Sequence, residues 1–355
     1  RDIRDNGAPI DRSITLGKYM PVFLAAKEKT KTPKTMEMYR TVCSIHLKPY
    51  AMLRVADIRA SDVTRMMSDA RKHDRSGRET GPVGSSMRRH IRSTMHSILD
   101  MAVRDGLIPH NPAERIEIPE SRDVAIREAS HERKAFTVEE MRAMLMAASG
   151  VGGVFGARMW FRLLTGMRQG EILGATLDDL KIGRRRVETD TGETVSVLVG
   201  EYAVNWKLEQ LHSIHGCGEP DHGVYPCGHR SAYRCPERAT RTPVGFDGRK
   251  IVDNWYLTRP KSNTGRIVPI VPALAEKLRA HIKESKWQPN DGGLLFHHAD
   301  GTPILAREDN DDFRRLMALA GISNIAGHSG HETRHSVVSL LASMGVDMQL
   351  IQQIV

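Results

Sequence analysis

The chain has 355 residues, 40% of them hydrophobic and 27% charged, which is enough for two domains with sizeable cores. No apolar run reaches the length of a membrane span and no secretory leader is visible, so a cytoplasmic protein with no membrane partner is expected. The net charge of +9 and pI of about 9.5 favour a polyanionic partner, most simply nucleic acid, and four cysteines are too few for a disulfide scaffold.

Residues 1–13 are polar and broken by Gly7 and Pro9, which reads as a tail. From Ile14 the pattern turns helical, with Leu16, Tyr19, Met20, Phe23 and Leu24 on one face. A second helix is predicted after Pro33, with Met36, Tyr39, Val42, Cys43 and Leu47 inward; Cys43 there reads as a small core residue. Ser61 is the predicted N-cap of a third helix. Residues 74–86 read as a loop. A long helix is predicted from Ser85 to Arg104, with Ile91, Met95, Ile98 and Leu99 inward. Its other face shows Arg88, Arg89 and Arg92. Such a face is commonly just solvated, and it is also what a helix tracking a phosphate backbone would show. Residues 14–118 thus form a helical domain, and 119–134, charged and aperiodic, a linker.

A second domain is predicted over 135–355. Thr137 and Glu140 form a capping box for a helix over 138–148. An apolar helix through Met159, Trp160, Leu163 and Leu164 runs into Thr165-Gly166-Met167-Arg168-Gln169-Gly170-Glu171, where a glycine turn presents Arg168 with Glu171 three residues on. Glu171 is placed to orient the guanidinium, although a plain surface ion pair has the same spacing. Strands are predicted over 187–199 and 202–206. Residues 207–250 read as an inserted loop that holds three of the four cysteines, Cys217, Cys227 and Cys235, among several histidines. Thiolates plus a histidine can complete a zinc tetrahedron, but no Cys-x-x-Cys pair is present, so structural zinc and a plain loop both stay open.

Residues 255–270 are predicted to form a hairpin turning at Ser262-Asn263-Thr264-Gly265, with Lys261 at its lip. A hairpin lysine is usually solubilising; here it is also long enough to reach a bound phosphodiester. Helices over 274–282 and 309–319 and a short apolar run, Leu294-Leu295-Phe296, follow. In Gly330-His331-Glu332-Thr333-Arg334-His335, His331 and Arg334 lie one turn apart at the mouth of a helix. Both can donate to one oxyanion, and the arginine fork matches two phosphate oxygens.

The ordered set Thr165-Gly-x-Arg168-x-x-Glu171, Lys261 and His331-x-x-Arg334 resembles the tyrosine recombinases, the phage integrase family. The resemblance implies a mainly α protein with a small antiparallel sheet (α+β), made of a helical core-binding domain and a mixed α/β catalytic domain. It implies cofactor-free cleavage and rejoining of double-stranded DNA through a 3′-phosphotyrosyl intermediate. Arg168 and Arg334 would clamp the phosphate, Lys261 would act as general acid, His331 would assist, and Glu171 would brace Arg168. It also implies two domains that clamp a duplex, a homotetramer on DNA, and accessory DNA-bending or excision factors. The family's nucleophile lies beyond the His-x-x-Arg box. All seven tyrosines of this chain precede His331, so a C-terminally truncated, inactive form is expected. A DNA-binding regulator on the same scaffold is the alternative.

Overall fold

The computed structural model describes all residues except 1–11, 75–77, 119–134, 189–190, 223, 243–244, 261–264, 291, 326–327 and 329. The predicted linker and Lys261 therefore lie outside the described residues, as does most of the predicted tail. The chain divides into two compact units, Arg1–His131 with His212–Phe246, and Glu132–Leu211 with Asp247–Val355.

The first unit begins with α1 (Leu16–Glu28) and α2 (Pro33–Thr41), the latter opened by the Thr32 hydroxyl, which accepts from the Thr35 amide, and by Pro33 in the first turn. A π-helical turn, Val42–His46, extends α2. Helix α3 (Ala60–Asp69) starts before the predicted cap. Asp62, not Ser61, does the capping, its carboxylate accepting from the Arg59 amide at 3.0 Å. The region expected to be a loop, 74–86, holds β2 (Glu79–Pro82), which pairs antiparallel with β1 (Arg71–His73) just before it. Main-chain pairing there outweighs a composition rich in glycine, serine and charge. Helix α4 (Ser85–Arg104) matches its predicted limits, and Ile91, Met95, Ile98 and Leu99 are fully buried against Leu16, Phe23, Met36 and Met66. Cys43 joins this core, and burial pushes its thiol up to about 12, as suits an inert packing residue.

The second unit is built around a central helix. Helix α5 (Val138–Val151) carries the predicted capping box: the Thr137 amide donates to Glu140 at 2.8 Å and the Glu140 amide donates to Thr137 at 3.1 Å. Helix α6 (Gly153–Thr165) is buried on nearly every side, through Phe155, Met159, Phe161 and Leu163. The short α7 (Gln169–Leu173) follows. Then come β3 (Leu180–Glu188), β4 (Thr194–Val204) and β5 (Lys207–Gln210). Within the first unit's second segment lie β6 (Ser213–His215) and β7 (Arg238–Thr240), paired antiparallel. The second unit resumes with β8 (Gly248–Val252), β9 (Trp255–Thr258), β10 (Arg266–Ile270) and α8 (Pro272–Ser285). It ends with α9 (Ala306–Leu319), α10 (Glu332–Ser343) and α11 (Met348–Ile354).

Two three-stranded antiparallel sheets result, in the orders β10-β4-β3 and β5-β9-β8. This corrects the predicted hairpin over 255–270: both strands exist, but they do not pair with each other. β9 is the middle strand of its sheet, with both edges taken by β5 and β8, so β10 joins β4 instead. Leu294, Leu295 and Phe296 are buried, yet they form no strand beyond a single bridge from Leu294 to Thr176. The chain is thus mostly helical with small antiparallel sheets.

Candidate phosphate-binding site

The site is assembled where α6 ends. Thr165 closes the helix, its hydroxyl donating to the Phe161 carbonyl at 2.5 Å, and Gly166 turns the chain with φ of 59°. A Cβ at Gly166 would stand 3.1 Å from Cβ of Val337 and 3.4 Å from Cα of Arg334, so the bare glycine lets α10 lie directly against the turn. The Gly166 carbonyl in turn accepts from Arg334 Nη1 at 3.2 Å. One residue thus fixes both arginine-bearing segments, which are far apart in sequence.

Arg168 and Glu171 meet as the spacing predicted. Glu171 accepts from the Arg168 amide at 3.0 Å and from its Nη1 at 2.9 Å. Glu171 is 2% exposed, while the Arg168 side chain keeps 42% of its surface open to solvent. This is no ordinary surface pair, because the carboxylate is buried and has a second partner. Arg266, at the start of β10, donates through Nη1 at 3.1 Å and Nη2 at 2.7 Å in a fork across both Glu171 oxygens. Its Nε donates to the Ile354 carbonyl at 3.1 Å, tying α11 to the same point. Burial alone would raise the Glu171 pKa, but the bonds from Arg266 and Arg168 outweigh it and hold the carboxyl below its ordinary value.

Arg334 completes a cluster of three guanidiniums around one carboxylate. Its pKa falls to about 10, through burial first and then repulsion from Arg168 and Arg266, with Glu171 pulling the other way. Three guanidiniums thus crowd on the single carboxylate of Glu171. The arrangement is therefore short of negative charge and suited to an anion. His331 sits at the N-terminus of α10, one turn before Arg334, whose amide donates to the His331 carbonyl at 3.1 Å. Its exposed ring packs edge-on against His335, with centroids 5.2 Å apart.

Beneath this cluster lies a second one that the sequence reading missed. Arg158 and Arg162, one turn apart on α6, are both buried and both bond Asp309 of α9, which is fully buried. Arg158 also bonds Asp312. Gln169, next to Arg168, donates to Asp309 at 2.7 Å and to Asn310 at 2.8 Å. A Cβ at Gly330, the residue before His331, would lie 2.8 Å from Arg162 Nη1. The buried network therefore abuts both segments of the site. Its only sequence signal was a pair of arginines in an apolar helix facing an acidic run, 308–312. Arg266 was likewise overlooked as a partner of Glu171, since nothing along the chain marks which cation a buried glutamate takes.

The other candidates lie elsewhere. On α4, Arg89 is exposed and Arg88 half-buried, whereas Arg92 donates to the Ile116 carbonyl at 2.7 Å and the Glu114 carbonyl at 3.1 Å, holding the end of the helical domain. Cys217, Cys227 and Cys235 are free thiols that converge with His215, their ligand atoms all within 4.8 Å of one another. Tyr202 is buried, and its hydroxyl accepts from the Thr176 amide at 3.1 Å, so it is no nucleophile. Among the described residues, no helix is long and apolar enough to cross a membrane.

Residues 248–355 match the phage integrase family. The chain is 24% identical over 280 residues to an integrase of Saccharopolyspora erythraea, covering 74% of this chain and 59% of that relative, so it spans about three fifths of the relative's length. It is 23% identical to an integrase of Streptomyces ambofaciens, covering 100% of this chain and 76% of the relative. Among solved structures, the integrase of transposon Tn1549 in complex with a circular intermediate DNA superposes with a TM-score of 0.62 at 16% identity, covering 96% of this chain and 91% of that one. A lambda integrase dimer bound to a core site does so with a TM-score of 0.52 at 14% identity, covering 96% and 94%. Residues 248–355 thus resemble the phage integrase family, and the fold is the one seen in the solved integrases.

Proposed function

We propose that this chain carries the phosphate-gripping core of a site-specific DNA recombinase, one that cuts and rejoins duplex DNA during integration or excision of a mobile element. The observation that carries the reading is the arginine cluster, three guanidiniums around the single buried carboxylate of Glu171, with Arg334 depressed in pKa by burial and then by its cationic neighbours. Arg168 and Arg334 take the non-bridging oxygens of the scissile phosphate and stabilise the charge that builds up in the transition state. Glu171 and Arg266 hold Arg168 in place, and His331 adds a hydrogen bond to the phosphate. A tyrosine hydroxyl attacks phosphorus, the 3′-phosphotyrosyl bond forms, and the 5′-oxygen leaves with a proton from Lys261. The reverse attack by a 5′-hydroxyl restores the phosphodiester, so the transfer needs no cofactor or external energy. Arg168, Arg334 and His331 thus supply binding and charge stabilisation in this reading.

Lambda integrase is known as a tetramer bound to a Holliday junction, and a tetramer on paired DNA sites is the assembly we infer here. Arg88 and Arg89 of the helical domain add backbone contacts, in keeping with the net charge of +9.

Two measurements test the reading. The chain should bind duplex DNA with an affinity that falls steeply with salt, and Arg168→Ala with Arg334→Ala should weaken binding and flatten the salt slope by about 1 per lost phosphate contact. The protein made from the natural reading frame should form a covalent adduct on a nicked suicide substrate. Binding without an adduct would instead indicate the DNA-binding regulator; absence of binding would end both readings.

A further inference from the structure

We propose that residues 212–246 form a zinc-stapled module, with His215, Cys217, Cys227 and Cys235 as its four ligands. The spacing is His-x-Cys-x9-Cys-x7-Cys. It matches no paired-cysteine motif, and for that reason the sequence alone left the question open. The folded chain closes the gap. β6 delivers His215 and the residues just after it, while the 3₁₀ turn Ala232–Arg234 leads directly into Cys235.

The geometry fits a tetrahedral ion. Zinc binds thiolate at about 2.3 Å and imidazole nitrogen at about 2.0–2.1 Å, so a tetrahedron sets the nitrogen about 3.6 Å from each sulfur and the sulfurs about 3.8 Å apart. His215 Nδ1 lies 3.4 Å from Sγ of Cys227 and 3.9 Å from Sγ of Cys217, and all four ligand atoms fall within 4.8 Å of one another. Three sulfurs this close have formed no disulfide. Backbone amides also point at them: those of Gly216 and Glu237 bond Cys235, and that of Cys227 bonds Cys217.

The backbone around the ligands is arranged for close approach. A Cβ at Gly216, between two ligands, would sit 2.1 Å from the Glu237 carbonyl oxygen. Gly218 and Gly228, each directly after a ligand cysteine, have φ of 116° and 70°, turning the chain back where a side chain would be strained. The His215 ring lies flat on Tyr225, with centroids 3.5 Å apart and an interplanar angle of 7°. Stacking thus sets the ring, since its buried Nε2 has no hydrogen-bond partner.

There is also a need for such a staple. Among the described residues of 212–246, Cys235 alone is buried. The segment has two strands of three residues each and no apolar core of its own to hold them. Segments of this size without a core are held by disulfides or by metal. Here the cysteines are free, and the fourth, Cys43, is sealed in the helical core away from them.

Cobalt(II) reports the site directly. The reduced full chain should bind one cobalt ion, with thiolate-to-cobalt charge transfer and the intense visible bands of a tetrahedral site, and zinc should bleach both. Cys43→Ala should keep the spectrum, whereas Cys217→Ser, Cys227→Ser and His215→Ala should each weaken binding at least tenfold. A second measurement needs no variant: zinc should slow alkylation of Cys217 and Cys227, read by peptide mapping, and leave Cys43 unchanged. An octahedral cobalt spectrum, or alkylation rates insensitive to zinc, would overturn the proposal.

Discussion

Glu171 shows how much one buried carboxylate organises. It is the shared acceptor of Arg168 and Arg266, and it pulls the Arg334 pKa up against the burial and the repulsion that lower it. Because its folded pKa is depressed, it contributes stability that is fully present above the ordinary carboxylate range and is lost as pH falls through the lower, folded value. Glu171→Gln should therefore destabilise the protein at neutral pH, and the gap from wild type should shrink on acidification below that range. Urea midpoints measured across acid pH check this; a gap that stays constant would mean that the charge on Glu171 contributes nothing. The sequence showed Arg168 and Glu171 correctly because their pairing is local, three residues along one helix start. It did not show Arg266, since that contact spans strands whose register no local pattern encodes.

At the scale of elements, α6 bears the most weight. It supplies the end from which Arg168 projects, and it buries Arg158 and Arg162 against Asp309 of α9. Such a cluster adds little net stability when intact, but removing one partner leaves buried charge uncompensated. Asp309→Ala should cost about 3–5 kcal/mol by chemical denaturation. Asp312→Ala, which removes only the half-exposed partner, should cost far less. Gln169 would lose one of its acceptors in Asp309→Ala, so under the proposed function DNA affinity should drop even where the fold survives. Equal costs for the two variants would argue against a single central acceptor. The helices were legible because their apolar spacing repeats; α4 and the Thr137 capping box are the clearest cases. The strand pairing of 255–270 was not, because adjacency in sequence favoured a hairpin while β8, on the far side of β9, had already taken the free edge.

For the molecule as a whole, that pairing has a topological consequence. β5 and β8 both run antiparallel to β9, on its two sides, and so run parallel to each other. Residues 211–247 must therefore carry the chain from the end of one strand across to the start of the other, a detour that takes about a dozen residues and cannot be made by a tight reversal. Everything in this stretch beyond that minimum is surplus to the sheet. Replacing 212–246 with a flexible dozen-residue bridge should leave the second unit folded, whereas a two-residue replacement should collapse the sheet, as amide exchange at Leu257 would reveal. The excursion is thus a compulsory bridge with spare length, and such a detour gives evolution a place to lodge a new cassette without redrawing the scaffold that carries it.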